Sequence, residues 1–260
     1  MNKNSNSYQI VYSTILVLLV GTLLAFVYMA LKPQQDENIA NDTRKQILGA
    51  LHIVPQDDAS IKSTYEKYIV QDMLVDVNGN VVDTTANVAF DVDMKNNVKL
   101  PAGERKLPVM KCKLDDGSVK YVLPVYGAGL WGPIWGYVAV DADGSTIYGT
   151  NYGHSSETPG LGAKITEEAF RDLFKGKSLF KDGEFKGVAV MKKGQKAQNG
   201  ADQVDALSGA TITSRGVSDM LADDLAPYAT FLSNLRGGDQ PQAATTSVTT
   251  TTTTDNQPVK

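Results

Sequence analysis

Cysteine is nearly absent: Cys112 is the only one in 260 residues. An internal disulfide is therefore impossible, and so is a Cys-rich metal cluster. Histidine is almost as scarce, with His52 and His154 alone, which rules out a site built from several imidazoles. A basic excess is missing too, since 25 Lys and Arg stand against 29 Asp and Glu, a formal net charge of -4. Without surplus cations to neutralise phosphates, no nucleic-acid role is expected. Nor is this a chain disordered throughout, because 42% of its residues are hydrophobic and 21% are charged. With so few catalytic side chains of its own, the chain points to a carried cofactor.

What is present first is a long apolar run. Val11 to Leu31 holds no charge, the flanking cations being Lys3 and Lys32. At about 1.5 Å per residue it reaches roughly 30 Å, the hydrocarbon thickness of a bilayer. A cleaved secretory signal would have a core of about 7–15 residues and a small-x-small site. This run is longer and ends Tyr28-Met29-Ala30-Leu31-Lys32, so an uncleaved anchor in contact with membrane lipid is expected. Tyr8, Tyr12 and Tyr28 lie near its ends, as interfacial aromatics do. Lys32, Arg44 and Lys45 follow the run and only Lys3 precedes it. Long domains cross largely regardless of such a count, which leaves the side of the membrane open.

The expected organisation is a short tail over 1–10, a transmembrane anchor over 11–31 and a connector over 32–40. A domain over 41–237 follows, then a disordered Thr-rich tail over 238–260. Within the domain, Ile39, Ile47, Leu48 and Leu51 suggest a helix. Leu74 to Val82 reads as a hairpin with a primed turn at Asn78-Gly79. Val119–Tyr126, Ile134–Val140 and Gly187–Met191 read as strands, and Asp141 to Gly144 as a turn. Thr166 is expected to cap a helix that begins with Glu167 and Glu168. Val217, Met220, Leu221, Leu225 and Tyr228 form the apolar stripe of a last helix, bent or ended near Pro227. Strands and helices mix without βαβ alternation, so the class is α+β. The tail contains Thr249 to Thr254 unbroken and has no apolar periodicity to bury.

The segment richest in chemistry is Asp205-Ala-Leu-Ser208-Gly209-Ala210-Thr211-Ile-Thr213-Ser214. Small residues let backbone N–H groups approach a ligand, and a helix N-terminus favours an anion such as phosphate. The same residues also suit an ordinary helix N-cap, and the spacing alone leaves both readings open.

The D-x-x-S-G-A-T pattern of Asp205, Ser208, Gly209, Ala210 and Thr211 resembles the site at which a dedicated transferase links FMN, through its phosphate, to the final threonine. Glu157-Thr158-Pro159-Gly160-Leu161-Gly162 matches a second element, E-T-P-G-L-G, and Gly127 to Trp131 is similar to a G-x-G-L-W segment. Together, behind one anchor, they identify the chain as similar to the FMN-binding C subunits of the Na⁺-translocating NADH:quinone reductases. Close relatives are the G subunits of the RNF electron-transport complexes. Ser156 departs from the glycine or lysine common before the glutamate, which bears on the shape of that loop.

That resemblance implies FMN attached to Thr211, with Asp205, Ser208, Gly209 and Ala210 around the phosphate. Glu157, Thr158, Gly160, Leu161 and Gly162 would form the ring loop. Leu130 and Trp131 would face the flavin or, as large aromatics often do, fill the core. Lys193 falls where the family carries a basic residue after a strand, a position that equally suits a solvated lysine. His154 receives no role. Activation of the threonine, which is not nucleophilic by itself, would belong to the flavin transferase and its Mg²⁺. The implied setting is a six-subunit-type redox complex of a bacterial inner membrane, with the flavin domain on the outer, periplasmic side. Electrons would pass from NADH to quinone with export of Na⁺. The alternatives are the RNF relative, with ferredoxin and NAD as terminal partners, and a membrane-anchored scaffold without cofactor. No dinucleotide fingerprint is present, so NADH would be oxidised on a partner.

Overall fold

The computed structural model describes residues 5–238; the expected tail beyond Gly238 and the first four residues, Lys3 among them, lie outside the described residues. Helix α1 (Asn6–Ala50) spans 45 residues, about 68 Å at the helical rise. Every residue from Val11 to Leu31 is exposed, so this stretch is apolar on all sides and long enough to cross a membrane. The helix continues through residues 32–40, the polar connector of the sequence reading, with Pro33 inside it. Pro33 leaves the Met29 carbonyl without its helical partner, near the end of the apolar run where water can serve. Ile39 is exposed rather than part of the buried stripe, which consists of Ile47, Leu48, Ala50 and Leu51. The helix ends with the His52 N–H donating to the Gly49 carbonyl and the Ile53 N–H to the Leu48 carbonyl. His52 takes the left-handed position between them, φ 58°.

The chain then forms α2 (Ile61–Tyr68), β1 (Ile69–Val75), β2 (Val81–Asp83), α3 (Met94–Asn97), β3 (Leu107–Lys113), β4 (Val119–Ala128), β5 (Pro133–Asp141) and β6 (Ile147–His154). The six strands make one sheet in the order β2-β1-β3-β4-β5-β6, antiparallel throughout. After it come α4 (Glu168–Arg171), the hairpin β7 (Phe180–Lys181) and β8 (Glu184–Phe185), and the pair β9 (Val188–Met191) and β10 (Asp202–Asp205). Helices α5 (Thr211–Leu225) and α6 (Ala229–Arg236) close the domain. The β9–β10 pair is parallel, yet its crossover contains no helix.

Both faces of the sheet are covered, and strand periodicity sorts the residues between them. Leu107, Val109, Tyr121, Leu123, Val125, Ile134 and Val138 face α5 and α6, packing with Val217, Leu221, Leu225 and Phe231. Met110, Cys112, Val122 and Ala139 face the other way, onto Ile47, Leu48 and Leu51 of α1 and Tyr65 of α2. The expected stripe of the last helix is buried at all five positions. Pro227 divides α5 from α6 through a 3₁₀ turn, Ala226–Tyr228.

Two local expectations are corrected. The β1–β2 turn is not primed: the Gly79 N–H donates to the Asp76 carbonyl and the Asp76 N–H to that of Asn80, and only Gly79, not Asn78, has positive φ. This is a type I turn followed by a left-handed glycine. Asp76 selects it, because its carboxylate accepts from the Asn78 and Asn80 N–H groups at 2.9 and 2.8 Å. Thr166 caps no helix either; it ends the 3₁₀ turn Gly162–Thr166 and its hydroxyl donates to the Ala163 carbonyl.

The anchor's far end is thus part of the core. Leu48→Ala is expected to destabilise the domain by about 2–5 kcal/mol. Deleting residues 1–32 leaves that face intact and is expected to give a soluble body with the full-length stability. Urea titration of both variants checks this, and a Leu48→Ala midpoint equal to that of the parent contradicts it.

Candidate functional site

Three segments far apart in the sequence meet at one end of the sheet. The first is the β4–β5 loop around Gly129 to Gly132. The second leaves β6 and contains Glu157 to Gly162. The third is the entry to α5. Their meeting point is the Glu157 carboxylate, 4% exposed. Its Oε1 accepts the Trp131 N–H at 2.8 Å and its Oε2 accepts the Thr213 hydroxyl at 2.6 Å. The Glu157 N–H donates to His154 Nδ1 at 3.3 Å, which gives that histidine a place in the same loop.

Backbone must come close to surround such a group. A Cβ on Gly129 would stand 2.5 Å from Glu157 Oε1, and one on Gly162 would collide with Glu157 Oε2 and lie 2.6 Å from the Thr213 Oγ1. Both sites therefore demand glycine for space. Gly209 has φ +79°, and a Cβ there would stand 2.9 Å from Leu161 Cδ2. The E-T-P-G-L-G loop and the S-G-A-T loop accordingly touch through Leu161 and Gly209.

The four hydroxyls between residues 208 and 214 divide into two classes. Ser208 and Thr211 are exposed, whereas Thr213 and Ser214 are buried. Thr213 donates to Glu157, and the Ser214 Oγ accepts the Leu207 N–H at 3.0 Å. Thr211 is the first residue of α5, whose N-terminus has no side-chain cap, so first-turn N–H groups remain available there. Ile212 beside it is exposed, as are Leu130, Trp131 and Leu161 on the two loops that meet this end of α5. Trp131 is 65% exposed and does not fill the core. Trp135 is the structural one of the pair: it is half-buried and its indole N–H donates to Gln46 of α1 at 2.8 Å.

The remaining sequence candidates take no part in the hydrogen bonds of Glu157. Thr158 and Gly160 are exposed, as is Asp205 at the end of β10. Lys193, also exposed, follows Met191, which pairs with Asp205. Ala210 is buried beneath Thr211. Sequence reasoning overlooked Ile212 and did not see that Thr213 points inward. It also overlooked Asp224, a buried carboxylate of α5 that accepts the Tyr126 N–H at 2.7 Å and faces Arg105 at 3.7 Å. That contact ties the helix to β4 just ahead of the Trp131 loop. No cluster of metal-ligating side chains occurs among the described residues.

Comparison with known proteins fits this arrangement. A family model described as an FMN-binding domain matches residues 129–226, a span that contains all three segments. The C subunit of the Na(+)-translocating NADH-quinone reductase of Vibrio anguillarum is 32% identical over 86% of this chain and 92% of its own. This chain belongs to that C-subunit family. The Haemophilus ducreyi member is also 32% identical, over 83% of this chain and 88% of its own. The crystal structure of the Parabacteroides distasonis member superposes with a TM-score of 0.71 at 42% identity, covering 78% of this chain and 96% of that one. With α1 added to this membership, the chain is membrane-anchored.

Burial pushes the Asp224 carboxyl up to about 6, against the opposing pull of the Tyr126 N–H and Arg105. The native state therefore holds this proton more tightly than the unfolded chain. The stabilising contribution is complete below the ordinary value of 3.8 and is lost as pH rises through about 6. Asp72, likewise raised to about 6 by burial, titrates in the same window. Asp224→Asn is expected to remove its share, so that its stability relative to the parent improves steadily from pH 4 to pH 7. Urea titrations across that range test this, and a difference independent of pH refutes it.

Proposed function

We propose that this chain carries FMN covalently, through a phosphodiester to Thr211 Oγ1, and relays electrons within a sodium-exporting NADH:quinone reductase. The observation that carries the reading is the arrangement at Thr211. It presents an exposed hydroxyl at an uncapped helix N-terminus, next to Ile212 and joined through Glu157 and Gly209 to the loops that carry the exposed Trp131 and Leu161.

The residues suit the group in both its parts. The phosphodiester would carry about one negative charge, which the N–H groups of the first turn of α5 and of the Gly209 bend can solvate. Arg215, one turn along the same helix face and exposed, adds a cation on that side. Leu161 and Trp131 offer apolar surface to the isoalloxazine, while Thr158 stands at the rim with a hydroxyl. Seven exposed positions make this an open surface rather than a closed pocket: Ser208, Gly209, Thr211, Ile212, Leu130, Trp131 and Leu161. An open surface buries little of a ligand, and a covalent tether offsets the affinity thereby lost.

FMN, when bound, supplies reversible electron uptake, and the protein supplies position and surroundings. No Asp, Glu, His, Lys or Arg lies between Val11 and Leu31, so this single helix forms no ion path by itself. Sodium movement and NADH oxidation belong to neighbouring proteins of a six-subunit-type complex. A flavin transferase matures the chain, and the domain lies on the outer, periplasmic face. The Leu130-Trp131 pair favours the quinone-reductase component over its RNF relative, in line with the family membership.

Thr211→Ala is expected to abolish flavin fluorescence on the SDS-denatured band while leaving the fold intact, because Ala is tolerated at a helix start. Fluorescence that persists places the attachment elsewhere, with Ser208 the remaining exposed hydroxyl of the motif. Leu161→Ala is expected to keep the covalent flavin but shift its visible absorption, since the ring loses an apolar neighbour. An unchanged spectrum removes Leu161 from the ring surface.

A further inference from the structure

Both oxygens of Glu157 are occupied by protein donors, and the residue is almost fully buried. Each oxygen thus has a protein partner, and what those partners are says what the residue holds together. The Trp131 N–H belongs to the exposed loop on one side of Thr211, and the Thr213 hydroxyl belongs to the helix that presents Thr211. A single carboxylate therefore ties the Trp131 loop to the first turn of the helix that presents Thr211. It also holds the first turn of α5 at the rotation that the buried Val217, Leu221 and Leu225 set for the rest of the helix. Residues two apart on a helix point about 200° from one another, so holding Thr213 inward turns Thr211 outward.

We propose that Glu157 is a positioning residue for flavin attachment, acting through Thr213 and Trp131: it withdraws the Thr213 hydroxyl from reaction, presents Thr211, and fixes the Trp131 loop beside it. The inference rests on the reading of Thr211 as the acceptor. In the step concerned, the Thr211 Oγ1–P bond forms as the P–O–P link of a flavin dinucleotide breaks. A nucleoside monophosphate leaves, and the hydroxyl proton passes to the base of the transferase. Electrons stay paired and no oxidant is needed. Glu157 touches none of the reacting atoms; its effect is orientation of the nucleophile.

The full-length chain, co-expressed with the flavin transferase, provides the test. Flavin attachment is followed by intact mass, its location by peptide mapping, and the ring's surroundings by visible circular dichroism. Thr213→Val keeps the side-chain shape and removes the donor. It is expected to slow attachment about tenfold, as loss of a hydrogen bond to a charged group would, and to weaken the visible dichroism of the flavin that does attach. Thr213→Ser restores the donor and is expected to match the parent in both. Glu157→Ala is expected to resemble Thr213→Val, and the double variant to be no slower than either single one, because the two residues act through one bond.

Parental rate and dichroism in Thr213→Val overturn the proposal. So do Thr213→Ser impaired as strongly as Thr213→Val, and additive effects in the double variant. Should Glu157→Ala fail to fold, the Val and Ser variants at position 213 decide the matter alone. A parent modified somewhere other than Thr211 defeats the functional reading itself and this inference with it. A parent modified at Thr211 beside an unaffected Thr213→Val defeats only the inference.

Discussion

The candidate site depends on a buried carboxylate that has two good donors. Placing Glu157 out of water without partners would be costly, and a half-satisfied arrangement would be worse than an apolar one. Supplying donors from Trp131 and Thr213 removes that cost only if three remote segments arrive together. Gly129 and Gly162 then become obligatory, because any side chain there would occupy the space of the carboxylate. One constraint on polar burial thus explains why a glycine is required in each of the two loops. The exposed rim of Leu130, Trp131, Leu161 and Ile212 is its outward consequence.

The same sheet that carries the site carries the anchor. Strands β4 and β5 pack against α5 on one face and against the last turn of α1 on the other. Trp135, four residues from Trp131, bonds to Gln46 of α1. A helix uninterrupted from the membrane segment into the core gives the end of the sheet where the three segments meet a defined relation to the bilayer. A flexible linker would not. For an electron-carrier subunit of a complex, such a relation matters as much as the chemistry of the cofactor.

Much of this was legible in the residues. The stripe from Val217 to Tyr228 follows helical spacing, and Pro227 marks the break, because both effects are local. The apolar run was evident from length alone. Thr211 and the E-T-P-G-L-G loop were recognised by resemblance, and their spatial adjacency was then visible in the contact of Leu161 with Gly209. The failures have physical reasons. The Asn78-Gly79 signal lost to Asp76, whose carboxylate stabilised another turn. The Thr166-Glu167-Glu168 signal lost to a 3₁₀ turn fixed by the packing of Ile165. Ile39 obeyed the helical period, yet the core begins only at Ile47. The inward direction of Glu157 had no local signature, since its partners lie 26 and 56 residues away. The inward direction of Thr213 was in principle available, from its helical offset to Thr211.

The most direct measurement is peptide mapping by mass spectrometry of the full-length chain, isolated from membranes with its transferase present and fully denatured before digestion. The account predicts one FMN phosphoryl increment, confined to the peptide that contains Asp205 to Ser214 and localised by fragmentation to Thr211. An unmodified peptide, or an increment on any other residue, would contradict it.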